Sequence, residues 1–353
     1  MTMVDIGLGH LLVDWLDRIP AEDIARAPLI AAAAAGSAIM SDQPGQFRSR
    51  MLHIAEAGLP DTDPVLREPL RCLISLVHAG MPQRDVHNSV RAAHESATLA
   101  AREVPVLIAF AYSTLAYLQY QNGDDDQART SCDTALRPPY GGGAEFARAV
   151  HAFLEADAGR LSQAQAEANQ AMAASAKLGR VGAWPSGLSH HALAYALLAS
   201  GENEQAEQRC IRAEELLRSH EPRLIHAHVL ITLANTRLSR GKILLASTEL
   251  AAAEAILRQH INVGLRVANY LRSTKRRLAE AQAGAPDERA VLPSAAELSV
   301  LRLLPSDLSQ REIGDELFLS IDTVKTHTLN LYRKLGVNTR RDAVRRAGAL
   351  GLV

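Results

Sequence analysis

Residues 194–213 read AYALLASGENEQAEQRCIRA, and the same arrangement of small residues recurs in AYLQYQNGDDDQARTSCDTA (116–135), AFLEADAGRLSQAQAEANQA (152–171) and ANTRLSRGKILLASTELAAA (234–253). Each stretch turns on a glycine, Gly123, Gly159, Gly201 or Gly241, so that a helical stretch closes about every 40 residues. An alanine stands seven residues before each glycine (Ala116, Ala152, Ala194, Ala234), another five after it (Ala128, Ala164, Ala206, Ala246), and a third twelve after it (Ala135, Ala171, Ala213, Ala253). Small residues at those offsets let two antiparallel helices approach closely, and the seven-residue gap between the last two alanines keeps both on one helix face.

This spacing resembles the tetratricopeptide repeat, in which helix pairs stack into a solenoid. Two weaker units lie upstream: Pro44-Gly45 carries Ala38 and Ala57 at the matching offsets, and Gly80 carries Ala92. Six helix pairs are therefore expected, with residues 1–280 forming an all-α helical-repeat domain. Pro138-Pro139-Tyr140-Gly141-Gly142-Gly143 and Gly182-Ala183-Trp184-Pro185-Ser186-Gly187 interrupt the array and read as loops by composition. Insertions in solenoids gather on one face that often binds, which makes Tyr140 and Trp184 candidate ligand contacts; ordinary connectors are the competing reading.

Composition agrees with this organisation. The chain has 353 residues, enough for a long array plus a small module, and it is 47% hydrophobic yet only 4% aromatic. That imbalance favours small-residue helix packing and argues against a strand-rich sandwich. Its 38 Lys and Arg nearly cancel 39 Asp and Glu, so a nucleic-acid or membrane partner has to be sought in local charge. Cys72, Cys132 and Cys210 are too far apart for a Cys-x-x-Cys site and read as buried thiols. The uncharged run from Ala27 to Ser41 falls short of a bilayer span, and Asp5 precedes the apolar Leu11–Val13 stretch with no basic n-region. No membrane partner and a cytoplasmic location are expected.

Periodicity breaks down over 281–292, where Gly284, Pro286 and a run of charge mark a linker. Basic Arg272, Lys275, Arg276 and Arg277 just before it read as a solvated helix end. From Pro293 onward, helix starts are marked by Ser294 with Glu297, Ser309 with Glu312, and Thr339 with Asp342, while Ser320 caps a further helix. Apolar stripes at Val300, Leu301 and Leu304, at Ile313 and Leu317, and at Val324, Leu331 and Leu335 give four short helices one core. Two of them, joined across Phe318-Leu319-Ser320, form a helix-turn-helix whose second helix turns Asp322, Lys325, Thr326, Leu329 and Arg333 outward. From Ile321 to Arg346 seven Lys or Arg face two acids, concentrating here the positive charge missing from the whole. His327, between Val324 and Leu331, reads as a half-buried packing residue.

These residues resemble the LuxR-type helix-turn-helix: Glu297 with Val300 and Leu301 at the start, Ser309 with Glu312 and Ile313, the Thr323–His327 run TVKTH, and Lys334–Val337 followed by Thr339 and Arg340. The resemblance implies a four-helix domain, 293–353, that reads inverted half-sites of double-stranded DNA as a dimer. By position it places Lys325 and Thr326 at base-reading sites, and Ser320, Thr323, Lys334 and Arg340 at the DNA backbone. Leu329 stands where many relatives place Lys or Arg, suited either to a thymine methyl or to a protein surface in the dimer. Leu304–Leu308 replaces a glycine-containing turn, with Pro305 ending the first helix. Trp15–Pro20 with Pro28-Leu29 resembles the start of the helical-repeat sensor of the large ATP-binding, maltose-activator-like LuxR-type regulators, whose ATPase domain has no counterpart in this sequence.

Enzyme motifs fail one by one. Gly241-Lys242 is followed by Ile243 and preceded at the P-loop offset by Thr236; His94-Glu95 has Thr98 where a zincin needs histidine; Gly187-Leu188-Ser189 runs into His190-His191 instead of a closing glycine. Asp124–Asp126 reads as solvated helix-start charge. No catalytic residue, metal site or cofactor is expected. The reading is a transcription regulator whose array receives a small-molecule or protein effector and whose module binds DNA as a homodimer; the alternative is an interaction scaffold with a vestigial module.

Overall fold

The structure is a computed structural model, and it describes residues 14–40, 45–80, 85–137, 142–218, 223–284, 293–306, 308–350 and 352. A short helix α1 (Ala21–Ala25) precedes paired helices: α2 (Pro28–Met40) with α3 (Gly45–Gly58), α4 (Pro64–Gly80) with α5 (Val86–Glu103), and, after a short 3-10 turn, α6 (Ile108–Asn122) with α7 (Asp125–Leu136). Three further pairs follow, α8 (Ala144–Asp157) with α9 (Leu161–Lys177), α10 (Trp184–Ala199) with α11 (Asn203–Leu217), and α12 (Arg223–Ser239) with α13 (Ile243–Leu257). A single long helix, α14 (Leu265–Gly284), ends the array. Every expected pair is present, and the chain is a helical-repeat solenoid.

The repeat glycines and alanines do what their spacing predicts. Gly123, Gly159, Gly201 and Gly241 sit at φ of 92°, 75°, 80° and 72°, the left-handed conformation that ends one helix so the next can reverse. Around Gly159, Gly201 and Gly241 an added Cβ would meet nothing within 4 Å, so backbone conformation and not space demands glycine there. All twelve repeat alanines are buried to 1% exposure or less. In the two upstream pairs Ala38 is buried as its offset predicts, but the register slips after the turns: Ala55 and Ala93 are the buried methyls, while Ala57 is exposed and Ala92 half-buried.

With alanine filling the helix contacts, the few aromatic rings are free to gather. Tyr120 stacks on Phe153 at 5.5 Å between ring centres, Phe153 meets His191 at 4.9 Å, His191 meets His228 at 4.6 Å, and His228 meets Tyr270 at 5.6 Å. This ring stack passes through α6, α8, α10 and α12, the leading helices of successive pairs, and finishes on α14. Burial holds both histidines neutral, pushing His228 down to about 3 and His191 well below its ordinary value.

Two expectations about connectors change. Helix α10 begins at Trp184, so Trp184-Pro185-Ser186-Gly187 is a first helical turn, where proline is tolerated because its missing N–H has no helical partner. Gly187 is there for close approach, since a Cβ would lie 2.8 Å from Leu217 Cγ. Helix α14 continues through Gly284 into the segment read as linker, and 285–292 lie outside the described residues, as does Tyr140.

In denaturant titrations Gly201→Ala is expected to cost about 1–2 kcal/mol through backbone strain alone, and Ala206→Leu about 1–3 kcal/mol through overpacking. Because His191 and His228 titrate lower folded than the unfolded value of about 6.5, the unfolded chain binds more protons below that pH. Stability is therefore complete above about pH 6.5 and falls as pH drops toward the folded values, by about 1 kcal/mol per pH unit for each histidine. Urea midpoints compared at pH 7 and pH 5 in wild type and His228→Gln check this, the variant showing the smaller drop.

Candidate nucleic-acid interface

The C-terminal residues fold into α15 (Ala295–Leu303), α16 (Gln310–Leu317), α17 (Ile321–Leu335) and α18 (Arg340–Ala349). Ser294 with Glu297 and Ser309 with Glu312 form complete capping boxes. The third is partial: Thr339 Oγ1 accepts from the Asp342 N–H at 3.1 Å, but the shorter Asp342 carboxylate takes the threonine hydroxyl at 2.8 Å instead of reaching the backbone. Val300, Leu301, Leu304, Ile313, Val324, Leu331 and Leu335 share one core with Ala343 and Ala347, and Leu317 packs at its edge.

Between α16 and α17 the turn is tight. Gly314 lies so near the Leu319 carbonyl that a Cβ would sit 2.8 Å from its oxygen, and Phe318 adopts φ 56°, left-handed without being glycine. Ser320 then starts α17, accepting from the Thr323 N–H at 3.2 Å. On α17, Val324, Thr328, Leu331 and Leu335 are buried, which turns the opposite face to solvent. Lys325, Thr326 and Arg333 are exposed on that face, and Leu329 is 71% exposed. Lys325 touches Asp322 only at 3.5 Å, and Arg333 donates to Asn330 at 3.3 Å, both on the same helix. Thr326 bonds the Asp322 carbonyl at 2.8 Å through its hydroxyl. Ser320 and Thr323 join hydroxyls at 2.8 Å at the head of the helix.

A short helix, a tight turn and a capped second helix with an exposed outer face make up a helix-turn-helix arrangement. Residues 293–347 match the family model described as bacterial regulatory proteins, luxR family. The C-terminal module is a LuxR-family helix-turn-helix domain. For the array, the similar solved structures include a Rap protein complexed with competence and sporulation factor, 12% identical, with a TM-score of 0.51 over 96% of this chain and 93% of that one. The apo form of RapI is also similar, 10% identical, with a TM-score of 0.36 over 98% of this chain and 97% of that one.

Within the LuxR-type module the expected backbone contacts divide into two groups. Ser320 and Thr323 lie at the exposed start of α17, beside Lys325, Thr326, Leu329 and Arg333. Lys334 and Arg340 do not join them. Lys334 Nζ donates to Glu297 at 2.7 Å, pinning α17 to the capping box of α15. Burial opposes the Glu297 charge, but the Lys334 ammonium and the Ser294 N–H outweigh it and hold the carboxyl below its ordinary range. The Arg340 guanidinium donates to the carbonyls of Leu304 at 2.9 Å, Ser306 at 2.6 Å and Leu308 at 2.6 Å, closing the turn around Pro305. Both cations thus satisfy groups inside the module, a role that position within a motif did not separate from phosphate contact.

Trp184 is likewise no surface contact. It is 5% exposed and meets Phe146 edge-on at 5.3 Å in the array core. Phe318, read from sequence only as part of the connection, is 95% exposed directly ahead of α17. An aromatic residue between two capped helices was the available signal. Among the described residues no three His, Cys, Asp or Glu side chains gather to hold a metal, and no helix is long and apolar enough to cross a membrane.

Arg340→Ala removes the partner of three carbonyls at once, two of them part-buried, and each such hydrogen bond to a charged donor contributes about 1.5–3 kcal/mol. The variant is expected to lower the thermal midpoint of the module while Arg341→Ala, on the same helix, leaves it within about 0.5 kcal/mol. Calorimetry of the full chain separates the two.

Proposed function

We propose that the chain is a sequence-specific DNA-binding transcriptional regulator that reads the major groove with α17 and takes its signal through the helical array. The observation that carries this reading is the outer face of α17. Lys325, Thr326, Leu329 and Arg333 recur at helical spacing on one exposed side, opposite a fully buried stripe. Lys325 and Thr326 meet base edges, Leu329 meets a thymine methyl, and Ser320, Thr323 and Arg333 hold the phosphate backbone. Lys334 and Arg340 are assigned to the fold of the module.

The division of labour follows the chain: the array through the end of α14 at Gly284 as signal or partner domain, 285–292 as the connection, and 293–353 as DNA-binding domain. A homodimer on an inverted repeat supplies the affinity that a single short helix lacks, because two half-sites read together multiply discrimination. The Rap protein of similar fold is complexed with competence and sporulation factor, which supports an effector-binding role for this array. The protein acts without catalysis, in the cytoplasm, where its DNA lies.

Selection of fragments from sheared genomic DNA with the full chain, followed by salt titration of the best fragment, tests the proposal. An inverted repeat shared among selected fragments is expected. Lys325→Ala should weaken binding by about 1–3 kcal/mol and relax base preference, while Arg333→Ala weakens all sequences alike and flattens the salt slope by about one. Selection that yields no common sequence, with both variants binding like wild type, would overturn the reading.

A further inference from the structure

The aromatic stack ends on α14, and α14 is fastened from the far side of the array. Arg266, in its first turn, reaches three earlier helices at once. Its Nε donates to the Tyr120 carbonyl at 2.9 Å, its terminal nitrogens bond Asp125 and Asp157, and its guanidinium carbon lies 4.2 Å from the centre of the Tyr120 ring. Asp157 is itself fixed by the hydroxyls of Tyr120 at 3.0 Å and Tyr195 at 2.7 Å. The connector ahead of α14 meets the early helices too. The Asn262 carbonyl accepts from the Val86 N–H at 3.1 Å, and Gly264 passes so near Gln121 that a Cβ would lie 2.6 Å from its carbonyl oxygen. The last helix therefore closes the array back onto α5, α6, α7 and α8.

Three observations make this closure a device. First, the Arg266 seat is complete in its chemistry, with two carboxylates, a carbonyl and a ring face, yet it is reached by solvent at Asp125. Such a cluster is strong while seated and opens at less cost than an apolar core. Second, a buried polar atom in the ring stack that ends on α14 is left over in the closed arrangement: His191 Nδ1 has no hydrogen-bond partner among the described residues. Unpaired buried groups penalise the state that contains them and bring an open state nearer in energy. Third, α14 is the helix that leads to the LuxR-type module, with only 285–292 between them. Movement of α14 is thereby a movement of the module's tether.

The geometry points to a latch: Arg266, seated on Tyr120, Asp125 and Asp157, holds α14 in the closed array, and release of that seat frees α14 and changes the DNA affinity of the module it leads to. The coupling to DNA rests on the function proposed above, while the latch itself does not. Coupling between two sites through one bistable element has the size of about 5–150-fold in affinity.

Hydrogen exchange and DNA-binding anisotropy on the full chain, for wild type, Arg266→Ala and Asp125→Asn, test both halves. The expected result is faster exchange across 262–284, by about tenfold or more, with α2 and α3, which touch no part of the seat, unchanged, and a shift of at least about fivefold in Kd in the same direction for both variants. Ethylguanidinium at millimolar concentration should refill the vacated seat in Arg266→Ala and move exchange and Kd back toward wild type. If Arg266→Ala unfolds the array, Asp125→Asn decides, since it removes only a surface partner. Unchanged exchange in 262–284 would overturn the latch, and faster exchange with unchanged Kd would overturn its coupling to DNA. Wild type that binds no selected fragment would overturn the DNA-binding reading instead, with the exchange data still judging the latch.

Discussion

Helix-to-helix contact through bare alanine methyls sets the geometry on which the rest of the molecule depends. Twelve alanines at three repeat positions are buried to 1% or less, so successive helices lie close and each pair repeats the orientation of the last. A methyl group fixes distance but supplies little apolar area. The array compensates by length, burying many small contacts over consecutive pairs, and by gathering its few large rings into one stack through the leading helices. The left-handed glycines make this possible, because each reversal occurs at the same point in the repeat.

From that constraint follow both the closed array and the position of the module. Regular stacking carries the chain round until α14 meets α6, more than a hundred residues earlier, and Arg266 finds Tyr120, Asp125 and Asp157 there. The module downstream is built on a different principle. Its helices are short, so caps and one guanidinium replace extended packing: two complete capping boxes start α15 and α16, and Arg340 gathers the carbonyls at the end of the first helix. This leaves the outer face of α17 free of structural duties.

What the sequence made legible is what depends on local spacing. Gly123 to Gly241 announced the hairpins, and Ser294, Ser309 and Ser320 announced the helix starts, because capping and turn chemistry act within four residues. Which face of α17 turns outward was readable for the same reason. Arg340 and Lys334 were placed at the DNA backbone by the resemblance, and their partners inside the module, 36 and 37 residues away, leave no mark on local pattern. Trp184 was placed in a loop because Gly and Pro surround it, although proline in a first turn starts a helix. The Arg266 seat joins residues separated by 109 to 146 positions, and no periodicity reports such a meeting. In the two upstream pairs, single alanines near the right offset misled by one or two positions, since alanine is common enough there to fall on either side of the buried stripe.

The central claim is that α17 reads DNA as one half of a symmetric pair. Hydroxyl-radical footprinting of the full chain on a selected fragment at physiological salt measures this most directly. The account predicts two protected half-sites related by inversion, their centres about one helical turn apart, both weakened together in Lys325→Ala at the same protein concentration. A single protected site, or cleavage unchanged by the protein at concentrations that saturate the mobility shift, would contradict it.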